Sequence, residues 1–336
     1  MRVSHKNRIQ GPKHFLSVDD FTIDEYKKLF LDTATIKAEW QNSTHEIFIP
    51  CENKRTLVSL LFTQPSTRTS GSFEKAAQAL GCNVTTLHVS SSSIAKGESY
   101  RDTAMMAGLA ANVLVVRHKG KEGTLQRLAD KIFPRHDALR NVAIVNAGEG
   151  TGEHPTQALL DMYTIHEKFG NIKGLRIGVY GDLKYGRTTH SLLRLGSRFG
   201  AQFVCISPED LSMPKRHLQY AANFGPKPTC TKNIHDVINE LDVLYVTRLQ
   251  REYRPDKLHH EPKEKISGYG VTPKLLKLFP KHSVVMHPLP RLDELPTECD
   301  KDPRVIIVSQ AYNGIMARTA LLRYILQCAK GASFRP

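Results

Sequence analysis

The stretch LVSLLFTQPSTRT (57–69) turns an apolar run of strand length into a hydroxyl-rich segment carrying one arginine. Residues 57–62 read as a fully buried strand. Helical spacing follows through Phe73, Ala76, Ala77 and Leu80, and Gly81 stops it. Pro65, Ser66, Thr67, Arg68 and Thr69 therefore sit between a strand end and a helix start. Hydroxyls, backbone N–H groups and a guanidinium converge there at the positive end of a helix dipole, which is the physics of a phosphate site. The competing reading is a plain Ser/Thr N-cap. The flanking strand, the arginine and the three hydroxyls favour a ligand. The segment is neither a P-loop nor a dinucleotide fingerprint: Gly148 and Gly150 begin the latter pattern, but Glu153 occupies its last glycine position.

The same alternation extends in both directions. Thr22-Ile23-Asp24-Glu25 is a capping box opening a helix toward Trp40. Strands are expected at 84–89, 113–117 and 142–146, and His154-Pro155-Thr156 starts a helix that runs to Gly170. A second series begins with a strand at 175–180 and a helix from about Arg187 to Phe199. Further strands follow at 203–206, 243–246, 284–286 and 305–308, with helices between, and a long helix covers roughly 310–330. The fold class is α/β: two doubly wound parallel-sheet domains with helices on both faces, the final helix packing back on the first domain. The expected division is 1–155 plus about 310–336, and 156–309. Ligands in such sheets bind beyond the carboxyl ends of the strands.

Bulk properties narrow the classes. The chain of 336 residues has room for two ordinary domains, and 47 Lys and Arg against 33 Asp and Glu give a net charge of +14. The basic residues are scattered without a long block, which favours small anions in a positive cleft over nucleic acid. The cysteines, Cys51, Cys82, Cys205, Cys230, Cys299 and Cys328, form no C-x-x-C pair or zinc spacing and read as reduced thiols of a cytoplasmic protein. No apolar run approaches the ~20 residues of a membrane span, and the N-terminus lacks the apolar core of a secretory signal.

Three more strands end in polar groups. Residues 113–116 lead to Arg117-His118, residues 142–145 to Asn146 and then His154-Pro155-Thr156-Gln157, and residues 284–286 to His287-Pro288-Leu289-Pro290-Arg291. Singly, each is a surface arginine, a capped helix or a Pro-rich turn. Together they set cations and amide-type groups at several strand ends, as a small-anion site requires.

PSTRT (65–69), SSSIAKGES (91–99), VVRH (115–118), NAGEGTGEHPTQALLDMYTI (146–165), GDLKYGRTTHSL (181–192), TRLQ (247–250) and HPLPR (287–291) occur in this order. The series resembles the motifs of aspartate carbamoyltransferases over about residues 15–328. PSTRT and HPTQ alone would indicate only the wider aspartate/ornithine family, whereas TRLQ and HPLPR resemble the aspartate branch.

The resemblance implies transfer of the carbamoyl group of carbamoyl phosphate to L-aspartate, with no cofactor, no metal and no covalent intermediate. By the same resemblance Ser66, Thr67, Arg68 and Thr69 cradle the phosphate, and Arg117 bridges its phosphate and carbonyl sides. His154 and Thr69 polarise the carbonyl oxygen. Gln157 and the Leu289 and Pro290 backbone carbonyls hold the carbamoyl NH2. Arg187, Arg248 and Gln250 bind aspartate. Ser92 and Lys96 lie in a loop that in the family reaches a neighbouring subunit's site, Lys96 serving there as a catalytic and aspartate-binding group, so a homotrimer with shared sites is implied.

Two positions depart from the family pattern. Gln64 stands where Glu is usual, and Tyr253 where Arg is frequent. Two readings stay open. In one, Gln64 still hydrogen-bonds Arg187 while Arg254 substitutes nearby; in the other, closure of the two domains is weaker. The alternative functions are a carbamoyltransferase for another amine such as ornithine, which would want an acidic pocket, and a silent homologue serving as a trimeric scaffold. Partners in a larger regulatory or pathway assembly also remain open.

Overall fold

The structure is a computed structural model that describes residues 12–42, 56–64, 66–88, 98–250 and 269–329. Chain order is α1 (Ile23–Asn42), β1 (Leu57–Phe62), α2 (Thr67–Ala79), β2 (Asn83–His88), α3 (Tyr100–Gly108), β3 (Val113–His118), α4 (Thr124–Arg127), β4 (Ala143–Glu149) and α5 (Pro155–Phe169). Then come β5 (Arg176–Gly181), α6 (Arg187–Arg198), β6 (Gln202–Ile206), α7 (Lys215–Ala221), β7 (Thr229–Thr231), β8 (Val243–Thr247), α8 (Pro273–Leu276), β9 (Val284–Met286) and α9 (Ile307–Ala329).

Two all-parallel sheets result, ordered β2-β1-β3-β4 and β7-β6-β5-β8-β9. The apolar runs are buried on both faces, as helix-covered parallel strands must be. In the first sheet the chain leaves β1 for β2, then resumes on the other side at β3. In the second it leaves β5 for β6 and β7, then resumes at β8. Each order reverses once, β1/β3 and β5/β8, and a crevice opens at each reversal beyond the strand ends.

The α1 capping box closes as read: Glu25 N–H donates to Thr22 Oγ1 at 3.2 Å, and Thr22 N–H to Glu25 Oε2 at 2.7 Å. The two sheets share a core. Leu159, Met162 and Ile165 of α5 and Leu192, Leu193 and Leu195 of α6 are fully buried in one cluster, each such side chain contributing about 1.5–3 kcal/mol of burial. α9 returns to pack on α1, α2 and α5, as the sequence predicts.

The strand expected at 305–308 is a correction. Only Val305 forms a bridge, to Val285, and α9 already begins at Ile307. Ile307 is buried while Val308 is 78% exposed, and both already belong to the first turn of α9. The edge strand β7 escapes sequence reading because Thr229-Cys230-Thr231 is short and only partly covered.

Candidate active site

The two crevices merge into one cleft of about 570 Å³ at the strand ends. Three helices begin on its wall, α2 at Thr67, α5 just after His154 and α6 at Arg187. Their N-terminal amides and dipoles favour anions there.

At the first sheet's end, Ser66 is the N-cap residue of α2, yet its hydroxyl makes no capping bond. The plain N-cap reading of the segment therefore fails, and the first-turn amides are not covered by that side chain. Arg68 lines the cleft beside it. Burial, followed by the nearby Arg248 charge, lowers the Arg68 pKa from its ordinary value. Arg117, paired across from Phe62 at the end of β3, points Nη1 toward the Ala147 carbonyl at 3.5 Å. His154 has its backbone N–H on Ser191 Oγ at 2.9 Å. Its imidazole is wholly buried, and burial followed by the Arg117, Arg187 and Arg318 charges holds its pKa well below the usual histidine range. It is a neutral ring at neutral pH, suited to donate one hydrogen bond rather than to act as a strong acid.

At the second sheet's end, Arg187 reaches across to the first half. Nη1 donates to the Gly150 carbonyl at 2.9 Å and Nη2 to Gln64 Oε1 at 3.4 Å. The guanidinium passes Gly148, whose φ is +118° and where a Cβ would come within 3.0 Å of Arg187 Cζ. Only glycine meets both demands. The Arg187–Gln64 contact agrees with the Gln64 half of the first reading, whereas Arg254 lies outside the described residues.

After β8, Arg248 Nη1 donates to the Leu249 carbonyl at 2.9 Å, and Gln250 Nε2 to the Arg248 carbonyl at 3.1 Å. Fully buried Asp182 holds this turn, accepting Gln250 N–H at 2.9 Å and Tyr185 N–H at 3.1 Å. After β9, His287 shapes the last wall. Its Nδ1 accepts from Leu289 N–H at 2.8 Å, which leaves Nε2 to donate to Glu294 Oε1 at 2.9 Å. Leu289 has φ +56°, and the Leu289–Pro290 bond is cis.

All the sequence-predicted site residues within the described chain line one cleft: Ser66, Thr67, Arg68, Thr69, Arg117, His154, Gln157, Arg187, Arg248, Gln250, Leu289 and Pro290. Ser92, Lys96, Tyr253 and Arg254 lie outside the described residues. Sequence reading missed Arg318 of α9, wholly buried with Nη1 on Ser72 Oγ at 2.8 Å. It missed Asp182 as well. Asp182 sits in the polar loop after β5 and Arg318 in a mixed stretch of α9, so neither stands out locally.

Five guanidiniums and Lys119 line the cleft, and no Asp or Glu does so among the described residues. Among those residues no group of three or more His, Cys, Asp or Glu is arranged to hold a metal ion, and no helix is long and apolar enough to cross a membrane.

A family model described as "Aspartate/ornithine carbamoyltransferase, carbamoyl-P binding domain" matches residues 13–167, and one described as "Aspartate/ornithine carbamoyltransferase, Asp/Orn binding domain" matches residues 173–325. An aspartate carbamoyltransferase catalytic subunit of Methanosphaerula palustris is 39% identical over 94% of this chain and 99% of its own. A solved aspartate transcarbamoylase of Trypanosoma cruzi in complex with carbamoyl phosphate superimposes with a TM-score of 0.79. It is 32% identical, over 93% of this chain and 94% of that one. The catalytic subunit of M. jannaschii aspartate transcarbamoylase gives 0.80 at 34% identity, over 95% and 99%.

Proposed function

The chain belongs to the aspartate/ornithine carbamoyltransferase family, and on that premise we propose how its residues move the carbamoyl group of carbamoyl phosphate onto the amine of L-aspartate. The observation that carries the assignment of roles is the cleft itself: five guanidiniums and one ammonium line it, with no carboxylate among the described lining residues. Such a wall suits two anions held side by side, a phosphate monoester and a dicarboxylate.

Ser66, Thr67, Arg68 and Thr69 cradle the phosphate with the amides of α2. Arg117 spans from the phosphate to the carbonyl side. Neutral His154 and Thr69 donate to the carbonyl oxygen, while Gln157 and the Leu289 and Pro290 carbonyls accept from the NH2. Arg187, Arg248 and Gln250 take the two carboxylates of aspartate. The amine attacks the carbamoyl carbon, and negative charge grows on the carbonyl oxygen. The C–O bond to phosphate then breaks, and the departing phosphate takes the amine proton. Positioning and oxyanion stabilisation supply the rate, and no protein nucleophile is required.

The carbamoyl-phosphate half comprises 1–155 with 310–336, and the aspartate half 156–309, so the division falls at the start of α5. Ser92 and Lys96 serve a neighbouring copy's site in a cytoplasmic homotrimer, Lys96 there contacting aspartate. Steady-state assay of carbamoyl aspartate formation by Arg68→Ala tests the phosphate cradle. Loss of such a charged contact lowers turnover by roughly 10²–10³-fold, and near-normal turnover would sink the assignment.

A further inference from the structure

Asp161 is wholly buried on α5, one turn beyond Gln157. Its Oδ1 accepts from Gln157 Nε2 at 3.0 Å and from Gln310 Nε2 at 2.7 Å, and its Oδ2 from Tyr245 OH at 2.8 Å. These donors come from α5, α9 and β8, so one side chain ties the second sheet to the helices beneath the first. Oδ1 accepts from both amides whether the carboxyl is ionised or carries a proton on Oδ2, and of an amide's two ends only the nitrogen donates. The contact therefore decides which way both glutamine amides face. Gln310 turns its oxygen to the His287 backbone N–H at 2.9 Å. His287 in turn holds Leu289 N–H through Nδ1 at 2.8 Å. Gln157, with its nitrogen committed to Asp161, has its oxygen left as the end for the cleft it lines.

We propose that Asp161 is a positioning residue for the transfer: it turns the Gln157 oxygen toward the substrate NH2 and, through Gln310 and His287, fixes the 287–290 turn whose carbonyls face the same group. Acceptors on two sides of the NH2 are thus oriented by one buried carboxyl group that touches no substrate. This rests on the reading of Gln157, Leu289 and Pro290 given above.

Asp161→Asn in the full chain tests it, because asparagine offers a donor as well as an acceptor and frees both amides to reverse. Inorganic phosphate shares the cradle but lacks the NH2, so its inhibition constant is the internal control. The expected result is a rise in half-saturating carbamoyl phosphate of roughly 5- to 100-fold, the range of one lost hydrogen bond in a buried site, with phosphate inhibition unchanged. Parallel weakening of both ligands, or of neither, overturns the proposal.

Gln310→Leu, which cuts only the arm to His287, should shift the same ratio by a smaller factor; an unshifted ratio counts against that arm. Gln157→Ala separates the two layers. If it leaves carbamoyl phosphate saturation unchanged, the reading of Gln157 fails and the proposal with it. If it weakens saturation while Asp161→Asn does not, the role of Gln157 stands and the positioning by Asp161 is wrong.

Discussion

The two ends of the cleft are built differently. At the first sheet's end, the hydroxyls of Ser66, Thr67 and Thr69 and the Arg68 guanidinium make no hydrogen bond to another described residue. At the second sheet's end the polar groups are already engaged: Arg187 with Gly150 and Gln64, Arg248 with Leu249, and Gln250 with Arg248. A ligand at the Ser66–Thr69 segment meets donors that no acceptor among the described residues holds. One at the second end exchanges protein acceptors for its own carboxylates, and exchange leaves a smaller net gain per contact. Substitutions at the first end should therefore fall on turnover, and those at the second on aspartate saturation.

The sharpest way to break this contrast is Asp182→Ala. It strips two half-buried amides of their acceptor behind Gln250, which costs about 1–3 kcal/mol. Half-saturating aspartate should rise about tenfold or more, while phosphate inhibition, read at the other end, stays as it was. An equal loss at both ends would show that the two ends are not independent.

A smaller effect tests the joint between them. Burial pushes the Asp161 carboxyl up from 3.8 to about 7, against the lowering by Gln310, Tyr245 and Gln157. Between those values the folded chain holds a proton that the unfolded chain has released. Stability from this group is therefore fully present at acid pH and is lost as pH rises toward 7, at up to about 1.4 kcal/mol per pH unit. Urea unfolding at several pH values should show that slope, and Asp161→Asn should remove it. An identical slope in the variant would place the titration elsewhere.

The mildest change is Gln64→Glu, which converts the long contact to Arg187 into a charge-assisted one. A gain of about 1 kcal/mol, or roughly a fivefold fall in half-saturating aspartate, is expected. No change would mean that the Gln64 contact contributes nothing to holding the halves together.

How much of this was legible beforehand follows the same division. Arg68, Arg117 and His154 stand next to strand ends, where the alternating pattern marks them as site residues. The two series of strands likewise announced two parallel sheets. Asp161, Asp182 and Arg318 act from within buried surroundings, and only tertiary packing brings their partners near: Asp161 meets Gln310 149 positions away, and Arg318 meets Ser72 246 positions away. The apolar run at 305–308 misled because hydrophobicity over four residues does not distinguish a strand from the first turn of a helix.

The central claim is that this cleft is built for two anions, and the amine specificity of the transfer tests it most directly. Purified chain supplied with carbamoyl phosphate should carbamoylate L-aspartate and leave L-ornithine behind by at least about 10²-fold in kcat/KM, because an ornithine ammonium would enter among guanidiniums with no carboxylate among the described lining residues to pair it. Comparable rates with the two amines would contradict the account.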